Sequence, residues 1–563
     1  MTMDTGFEQL CMACRLGDLE SADKLISTGV NVSPPPTPSS TLIKMLTNSN
    51  SQVNAVDEFD YTPLYLASLC GHESVVKLLL QRGAVCDTDK YEGARCIYGA
   101  LTDSIRNLLI SYSISKAVDT NLPFAAHIRS LKEGSDIISE DIVVKMGNSL
   151  KEDEDHHLSF RLHRFMLSAR SKYFRDKLQR QWRDKSQVEL PFSDITDLKT
   201  LSVGLEYLYL VHDPKKFDDV DKESLLQFAR KIELSALVDG LERYIVTDQP
   251  TEQAKILNEI QMKVFEEART DFKNLVEEHI IGGKLTTFEN KSISEAEVRE
   301  LQESELFPDI ILAVQEKMEI DVLPGEPAVP EDKLPLITTY YPVHRSILIR
   351  DEYFKVMFSS DFAEAHDYTI IPDLNIVDRS HPIPVINLPV PSWEIAEIVI
   401  KFLYYDHADI PMEHAVDTLY AGEVLMNDRL KTMAAVTLTS SKSPPPGYDL
   451  YDILRAAWET RMDRLEHHVA RVIAENLDKF LSDPDFASIV LESSGRIRVR
   501  QETDTIELID DIRFYLAKKW KIDFDGLFPN EKNDIVDQLP GYESYQEDLD
   551  KIESLLVELD LDA

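Results

Sequence analysis

The chain has 563 residues, 43% hydrophobic and 28% charged, the balance of an ordinary folded protein with material for about three to five domains. Lys plus Arg number 60 and Asp plus Glu 100, a formal charge of −40. Such a surface repels phosphate backbones, which argues against nucleic acid as a direct partner and favours partners with a basic surface.

The N-terminal MTMDTGFEQL lacks a basic n-region and an apolar core, so no secretory signal is expected. No run of about 18 apolar residues occurs, so no membrane span is expected either. The five Cys fall at positions 11, 14, 70, 86 and 96. An odd number confined to the first hundred residues argues against a disulfide framework and for a reducing compartment, the cytoplasm and also the nucleus. Cys11 and Cys14 have C-x-x-C spacing, but no second ligand pair follows, so they read as buried thiols. No metal and no cofactor are expected.

In chain order, the first pattern is Tyr61–Thr62–Pro63–Leu64–Tyr65–Leu66–Ala67, then Gly71–His72, then Val75 to Leu80 and Gly83–Ala84. Thr62 is a helix cap and Pro63 a first-turn residue. Gly71 turns the chain between two antiparallel helices, and Gly83 ends the second in a conformation that suits Gly. The string resembles the ankyrin repeat. A shift of 33 residues pairs Leu64 with Ile97, Tyr65 with Tyr98 and Ala67 with Ala100, which suggests a degraded third repeat. A shift of 54 pairs Ala67 with Ala13, Gly71 with Gly17 and Gly83 with Gly29, which suggests a first repeat carrying a Pro/Ser insertion at 33–52. Residues 5–113 therefore read as about three repeats.

A larger duplication follows. Asp141 precedes the apolar run Ile142–Val143–Val144, then come His163–Arg164 and Tyr173–Phe174. Asp309 precedes Ile310–Ile311–Leu312, then come His344–Arg345 and Tyr353–Phe354. Each copy later has Leu-Pro at a strand end and an apolar helix with an aromatic end, Leu205 to Tyr209 and Ile400 to Tyr405. These residues resemble the BTB/POZ domain, and the whole chain resembles the ankyrin-repeat and double BTB/POZ proteins. The fold class is multidomain, α and α+β: an ankyrin solenoid, two small sheets capped by helices, and helical extensions. The copies span 123–246 and 295–438. The resemblance makes both His-Arg pairs structural links between strand and helix, because fold motifs are not reactive sites.

Many BTB domains bind cullin-3 through an apolar residue, any residue, then Glu or Asp, just after the Y-F-x-x-M-F helix. In the second copy the resemblance assigns this to Met357, Phe358, Phe362 and Glu364, with Phe362 entering an apolar groove. In the first copy it assigns a looser match to Trp182 and Asp184, where Lys177–Leu178 stand in place of Met-Phe.

Between the copies, Ile256, Ile260, Val264, Ala268, Phe272, Leu275 and Ile280 mark an amphipathic helix at 250–285, an extension of the first copy or a brace between the two. Long insertions are expected from Gln315 to Tyr341 and over 365–385. After a Pro-rich linker, Leu454, Trp458, Leu465, Val469, Val472, Asn476 and Phe480 resemble a BACK-type extension over 448–520. Leu549, Ile552, Leu556 and Leu559 in the acidic 541–563 suggest a docked terminal helix or an acidic tail.

No nucleotide-binding, nucleophile-elbow or H-E-x-x-H motif is present, so no enzyme is indicated. No Cys follows position 96, so no tandem zinc fingers follow either. The resemblance implies a non-enzymatic adaptor, with ankyrin repeats holding a target protein and the second BTB domain holding cullin-3. A protein-binding scaffold with no ligase link is the alternative. BTB domains commonly dimerise, and here two could pair within the chain or between chains.

Overall fold

The computed structural model describes residues 5–19, 21–22, 25, 61–81, 84, 91–102, 104–106, 108–109, 121–133, 137–146, 159–190, 198–212, 214–288, 291–317, 334–359, 369–407, 409–441, 443–500, 506–522 and 541–561. The chain divides into two units, Met1–Asp119 and Thr120–Ala563. No helix among the described residues is long and apolar enough to cross a membrane.

The first unit holds α1 (Thr5–Leu16), α2 (Pro63–Leu69), α3 (Glu73–Gln81) and α4 (Tyr91–Tyr98). Thr62 Oγ1 accepts from the Tyr65 N–H at 3.1 Å and Pro63 opens α2, which satisfies an otherwise orphaned donor. Leu64, Ala67, Val75, Val76 and Leu79 are buried in one core with Cys11 and Cys14. Burial, then the neighbouring Cys11, pushes the Cys14 thiol up to about 12, so it packs as a protonated apolar group. His72 Nε2 lies 2.9 Å from the Arg15 carbonyl oxygen and joins the first repeat to the second. Gly29, Gly83, Cys86 and the insertion at 33–52 lie outside the described residues.

The third repeat does not follow the 33-residue shift. Leu64 stands at the start of α2, whereas Ile97 is the next-to-last residue of α4. Buried Ile105 and Leu109 take the places of Val75 and Leu79, a shift of 30. Thr102 Oγ1 accepts from the Ile105 N–H at 3.3 Å, as Asp18 Oδ1 accepts from the Ser21 N–H at 3.1 Å in the first repeat. The buried positions and caps set the register, and letter matches in a degraded repeat do not. Gly71 has φ +81°, and a Cβ there would lie 2.7 Å from Leu101 Cδ2. Gly71→Ala should cost about 1–2 kcal/mol of local stability. Amide exchange across α2 and α3 should rise roughly five- to thirty-fold, read by mass spectrometry.

The second unit opens with α5 (Asn121–Glu133). The first copy follows: β1 (Ile142–Met146), β2 (Ser159–Leu162), α6 (Arg164–Arg170), α7 (Lys172–Arg180), β3 (Gln187–Leu190), α8 (Leu198–Leu208), α9 (Pro214–Asp218), α10 (Lys222–Lys231) and α11 (Ser235–Val246). Then α12 (Pro250–Asn274) runs into a π-helical segment, Leu275–Ile281, followed by β4 (Leu285–Thr287) and α13 (Glu295–Gln302). The second copy comprises β5 (Ile310–Lys317), β6 (Leu336–Val343), α14 (Arg345–Leu348), α15 (Glu352–Ser359), β7 (Thr369–Ile371), β8 (Ile376–Asp378), β9 (Val385–Asn387), α16 (Trp393–Tyr405), α17 (Ala415–Val424) and α18 (Asp428–Ser440).

The two copies share one sheet topology. In the first, β1 pairs antiparallel with β2 (Ile142 opposite Leu162) and parallel with β3 (Val143 opposite Gln187). In the second, β5 pairs antiparallel with β6 (Ile310 opposite Val343) and parallel with β9 (Ile311 opposite Val385), and β4 adds to the β6 edge. The insertion expected from Gln315 to Tyr341 is shorter, because the ladder continues to Lys317 opposite Leu336; residues 318–333 lie outside the described residues. The loop expected over 365–385 holds the hairpin β7–β8 instead. Ile376 and Val377 are buried, and the Val377 N–H donates to the Glu140 carbonyl of the first copy at 2.8 Å.

The copies pack against each other. Phe165 stacks on His344 with ring centres 4.2 Å apart, and Ser168 Oγ donates to the Glu305 carbonyl at 3.3 Å. In α12, the residues Ile256, Ile260, Val264, Ala268 and Phe272 are all buried. That helix packs on α11 and α6 of the first copy and on α16 of the second. Arg170 pairs with Asp271, and Arg269 Nε donates to the Tyr405 carbonyl at 3.1 Å. It is therefore a brace. Helix α5 bridges likewise: the Phe124 N–H donates to Asp406 Oδ2 at 3.1 Å, and Arg129 Nε to the Leu210 carbonyl at 2.7 Å. Phe165 is 4% exposed and also meets Phe272 edge-on at 6.4 Å. Phe165→Ala should lower the unfolding free energy by about 3–5 kcal/mol in a denaturant titration.

The C-terminal helices are α19 (Leu450–Thr460), α20 (Asp463–Glu475), α21 (Leu477–Leu481), α22 (Pro484–Arg500), α23 (Glu507–Lys519) and α24 (Tyr542–Glu558). Leu454, Leu465 and Val469 are buried, while Trp458 is half-buried beneath the Arg496 guanidinium at 4.5 Å. Asn476 departs from the expected stripe, exposed at the C-cap of α20, whereas Phe480 is half-buried with its ring 6.2 Å from that of Tyr451. Ile552 and Leu556 are buried, and Trp520 Nε1 donates to Asp548 Oδ2 at 3.0 Å. The terminal helix is thus docked on its neighbours.

Candidate protein-interaction surfaces

Each copy is locked at the junction where a sheet strand becomes a helix. Asp141 Oδ1 accepts the Arg164 N–H at 2.7 Å, and Asp309 Oδ1 accepts the Arg345 N–H at 2.7 Å. The preceding histidine is gripped on three sides. The His163 N–H donates to Tyr209 Oη at 2.9 Å, its Nδ1 lies 3.1 Å from the same hydroxyl, and its Nε2 lies 3.0 Å from Ser139 Oγ. The His344 N–H donates to Tyr404 Oη at 3.0 Å, its Nδ1 lies 2.8 Å from that hydroxyl, and its Nε2 lies 2.8 Å from the Leu306 carbonyl.

Burial holds both imidazoles neutral, at about 3 for His163 and about 3 for His344. Ser139 beside His163 has the spacing of a nucleophile and base, but both are buried and so low a value leaves a poor base. In the second copy a backbone carbonyl takes the serine's place. Both pairs are therefore structural. A histidine whose folded value lies below its usual 6.5 stabilises the protein above pH 6.5 and loses that stabilisation as pH falls toward 3. Burial raises the neighbouring Asp309 to about 6, which acts in the opposite sense. The comparison is accordingly against a variant that keeps Asp309. The stability gap between wild type and His344→Asn should narrow by up to about 1.4 kcal/mol per pH unit on acidification from pH 6.5, measured by denaturation at several pH values.

The corner after the Tyr-Phe helix differs between the copies. In the second copy Tyr353 meets Phe354 edge-on at 5.2 Å, and Phe354 stacks on Phe358 at 6.2 Å. Phe358 is buried, with the Arg345 guanidinium 4.8 Å from its ring centre, so it belongs to the core. Met357 is half-exposed and Val356 is 46% exposed. Phe362 and Glu364 lie outside the described residues. In the first copy Tyr173 meets Phe174 at 5.4 Å and Phe174 meets Trp182 at 6.2 Å. Trp182 is buried and Asp184 exposed. The Arg164 guanidinium donates to the carbonyls of Trp182 (3.0 Å), Arg183 (3.2 Å) and Lys185 (2.6 Å), fastening that turn to its own domain.

The BTB/POZ domain model matches residues 140–249 and 334–442, and an ankyrin-repeat model matches 10–80. An ankyrin repeat-containing protein of Saccharomyces cerevisiae is 38% identical over the full chain and 99% of its own length. BTB/POZ domain-containing protein 3 of Schizosaccharomyces pombe is 33% identical over 99% of this chain and 90% of its own. The chain belongs to the ankyrin-repeat and double BTB/POZ family. Kelch-like protein 25 of Rattus norvegicus is 26% identical over 29% of this chain and 25% of its own.

Ankyrin and BTB/POZ domains are protein-interaction modules, and a chain that joins them is an interaction adaptor. Two features of these BTB/POZ domains escaped the sequence reading. The sequence pattern points to Tyr209 and Tyr405 only as aromatic helix ends, yet Tyr209 and Tyr404 close the two histidine locks. The motif does not include Val356, yet it is the most exposed apolar residue of α15. The signal for it was a β-branched residue on the outer face of a short helix, at the position where the first copy has Asp176.

Proposed function

We propose that this chain is a substrate-recruiting adaptor of a cullin-3 RING ubiquitin ligase, acting in the cytoplasm and nucleus. The ankyrin unit holds the target, and the second BTB/POZ domain, with the helices after it, holds the cullin. The observation that carries the reading is Val356, an apolar residue 46% exposed on the outer face of α15, with half-exposed Met357 beside it. It leads directly into Phe362–Ala363–Glu364, which resembles the cullin-binding feature of BTB domains. Burying such a pair in an apolar groove contributes roughly 25 cal/mol per Å². The adaptor supplies no chemistry: it raises the effective concentration of target near the conjugating enzyme. The formal charge of −40 suits targets with a basic surface.

The test is a pull-down and calorimetric titration of the full chain with cullin-3. Wild type should bind, and Phe362→Ala combined with Glu364→Lys should lose at least tenfold in affinity with an unchanged melting curve. If wild type does not bind at micromolar concentration, the ligase link is wrong and the chain is a scaffold.

A further inference from the structure

We infer that this chain is a monomer presenting a single cullin-docking surface, on its second BTB/POZ domain. The docking half rests on the adaptor reading; the monomer half stands on the fold alone.

A symmetric pair of like domains uses the same patch on both members. Here that exchange is closed within one chain. Helix α5 leads into the sheet of the first copy, yet the Phe124 N–H reaches Asp406 and His127 Nε2 lies 2.8 Å from the Ser346 carbonyl of the second. Helix α12 precedes the second copy, yet its Asp271 pairs with Arg170 of the first. Between them, Phe165 lies on His344. A face consumed in this way is not free to bind the same face of another chain.

The two docking corners are not equivalent. Aligning Tyr173–Phe174 with Tyr353–Phe354 sets Asp176 where Val356 stands and Lys177 where Met357 stands. A groove that takes the apolar pair would have to desolvate two charges on the first copy, which costs several times what the apolar pair contributes. Trp182, the counterpart of Phe362, is 5% exposed and packs on Phe174. Arg164 holds its carbonyl and two that follow. The first corner is therefore sealed.

Light scattering on the full chain should give 64.3 kDa; a particle of twice that mass overturns the monomer half whatever the cullin does. Titration with cullin-3 should give one cullin per chain. Val356→Asp should lose at least tenfold in affinity, and Arg183→Glu combined with Asp184→Lys should leave it unchanged, each variant first checked for a native melting curve. Two cullins per chain, or a tenfold loss from the first-copy variant, overturns the single docking surface. A monomer that binds no cullin defeats the adaptor reading and the docking half, and leaves the self-pairing standing.

Discussion

Phe165 lying flat on His344 ties the two BTB/POZ copies into one body, and much of the second unit is arranged around that contact. The ring pair is buried, so His344 must stay neutral. Neutrality in turn requires fixed partners for both ring nitrogens, supplied by Tyr404 and the Leu306 carbonyl. The first copy repeats the device with Tyr209 and Ser139. The histidines thus serve fold rather than chemistry: they position the strand-to-helix junction, and the junction positions the Tyr-Phe helix that follows.

That helix is where the duplicated copies diverge in surface chemistry. Its inner residues are equivalent, Phe174 with Phe354 and Leu178 with Phe358, all buried. The outer residues are not. The first copy presents Asp176 and Lys177 and turns Trp182 inward, while the second presents Val356 and Met357. Inner positions answer to a shared packing problem and outer positions answer to whatever approaches from solution. One fold therefore carries two different outer surfaces on the same inner packing.

Helix α12 shows how local geometry serves the same end. Its buried residues recur every four positions to Phe272, then step by three to Leu275 and by five to Ile280. A straight α-helix would rotate Ile280 off the buried face. The π-helical turn over Leu275–Ile281 absorbs the longer step, and Ile280 is buried. The brace thereby keeps its apolar face against both copies until β4 begins.

The sequence by itself determined the order of modules, the two motif junctions and the face of α12 that is buried. These rest on nearest-neighbour rules: caps, turn glycines, helical spacing and short motifs around a strand end. It also carried the resemblance that names the corner near Met357. Tertiary structure alone decided the 30-residue step to the third repeat, the β7–β8 hairpin, the burial of Phe358 and Trp182, and the pairing of the copies within one chain. Each of these depends on contacts that the local motifs do not name, and the pairing of the copies on residues more than about a hundred positions apart. Val377 finds Glu140, and Phe165 finds His344, only after the chain has folded back on itself. No local pattern encodes such a meeting, because burial is shared between distant segments and is a property of neither alone.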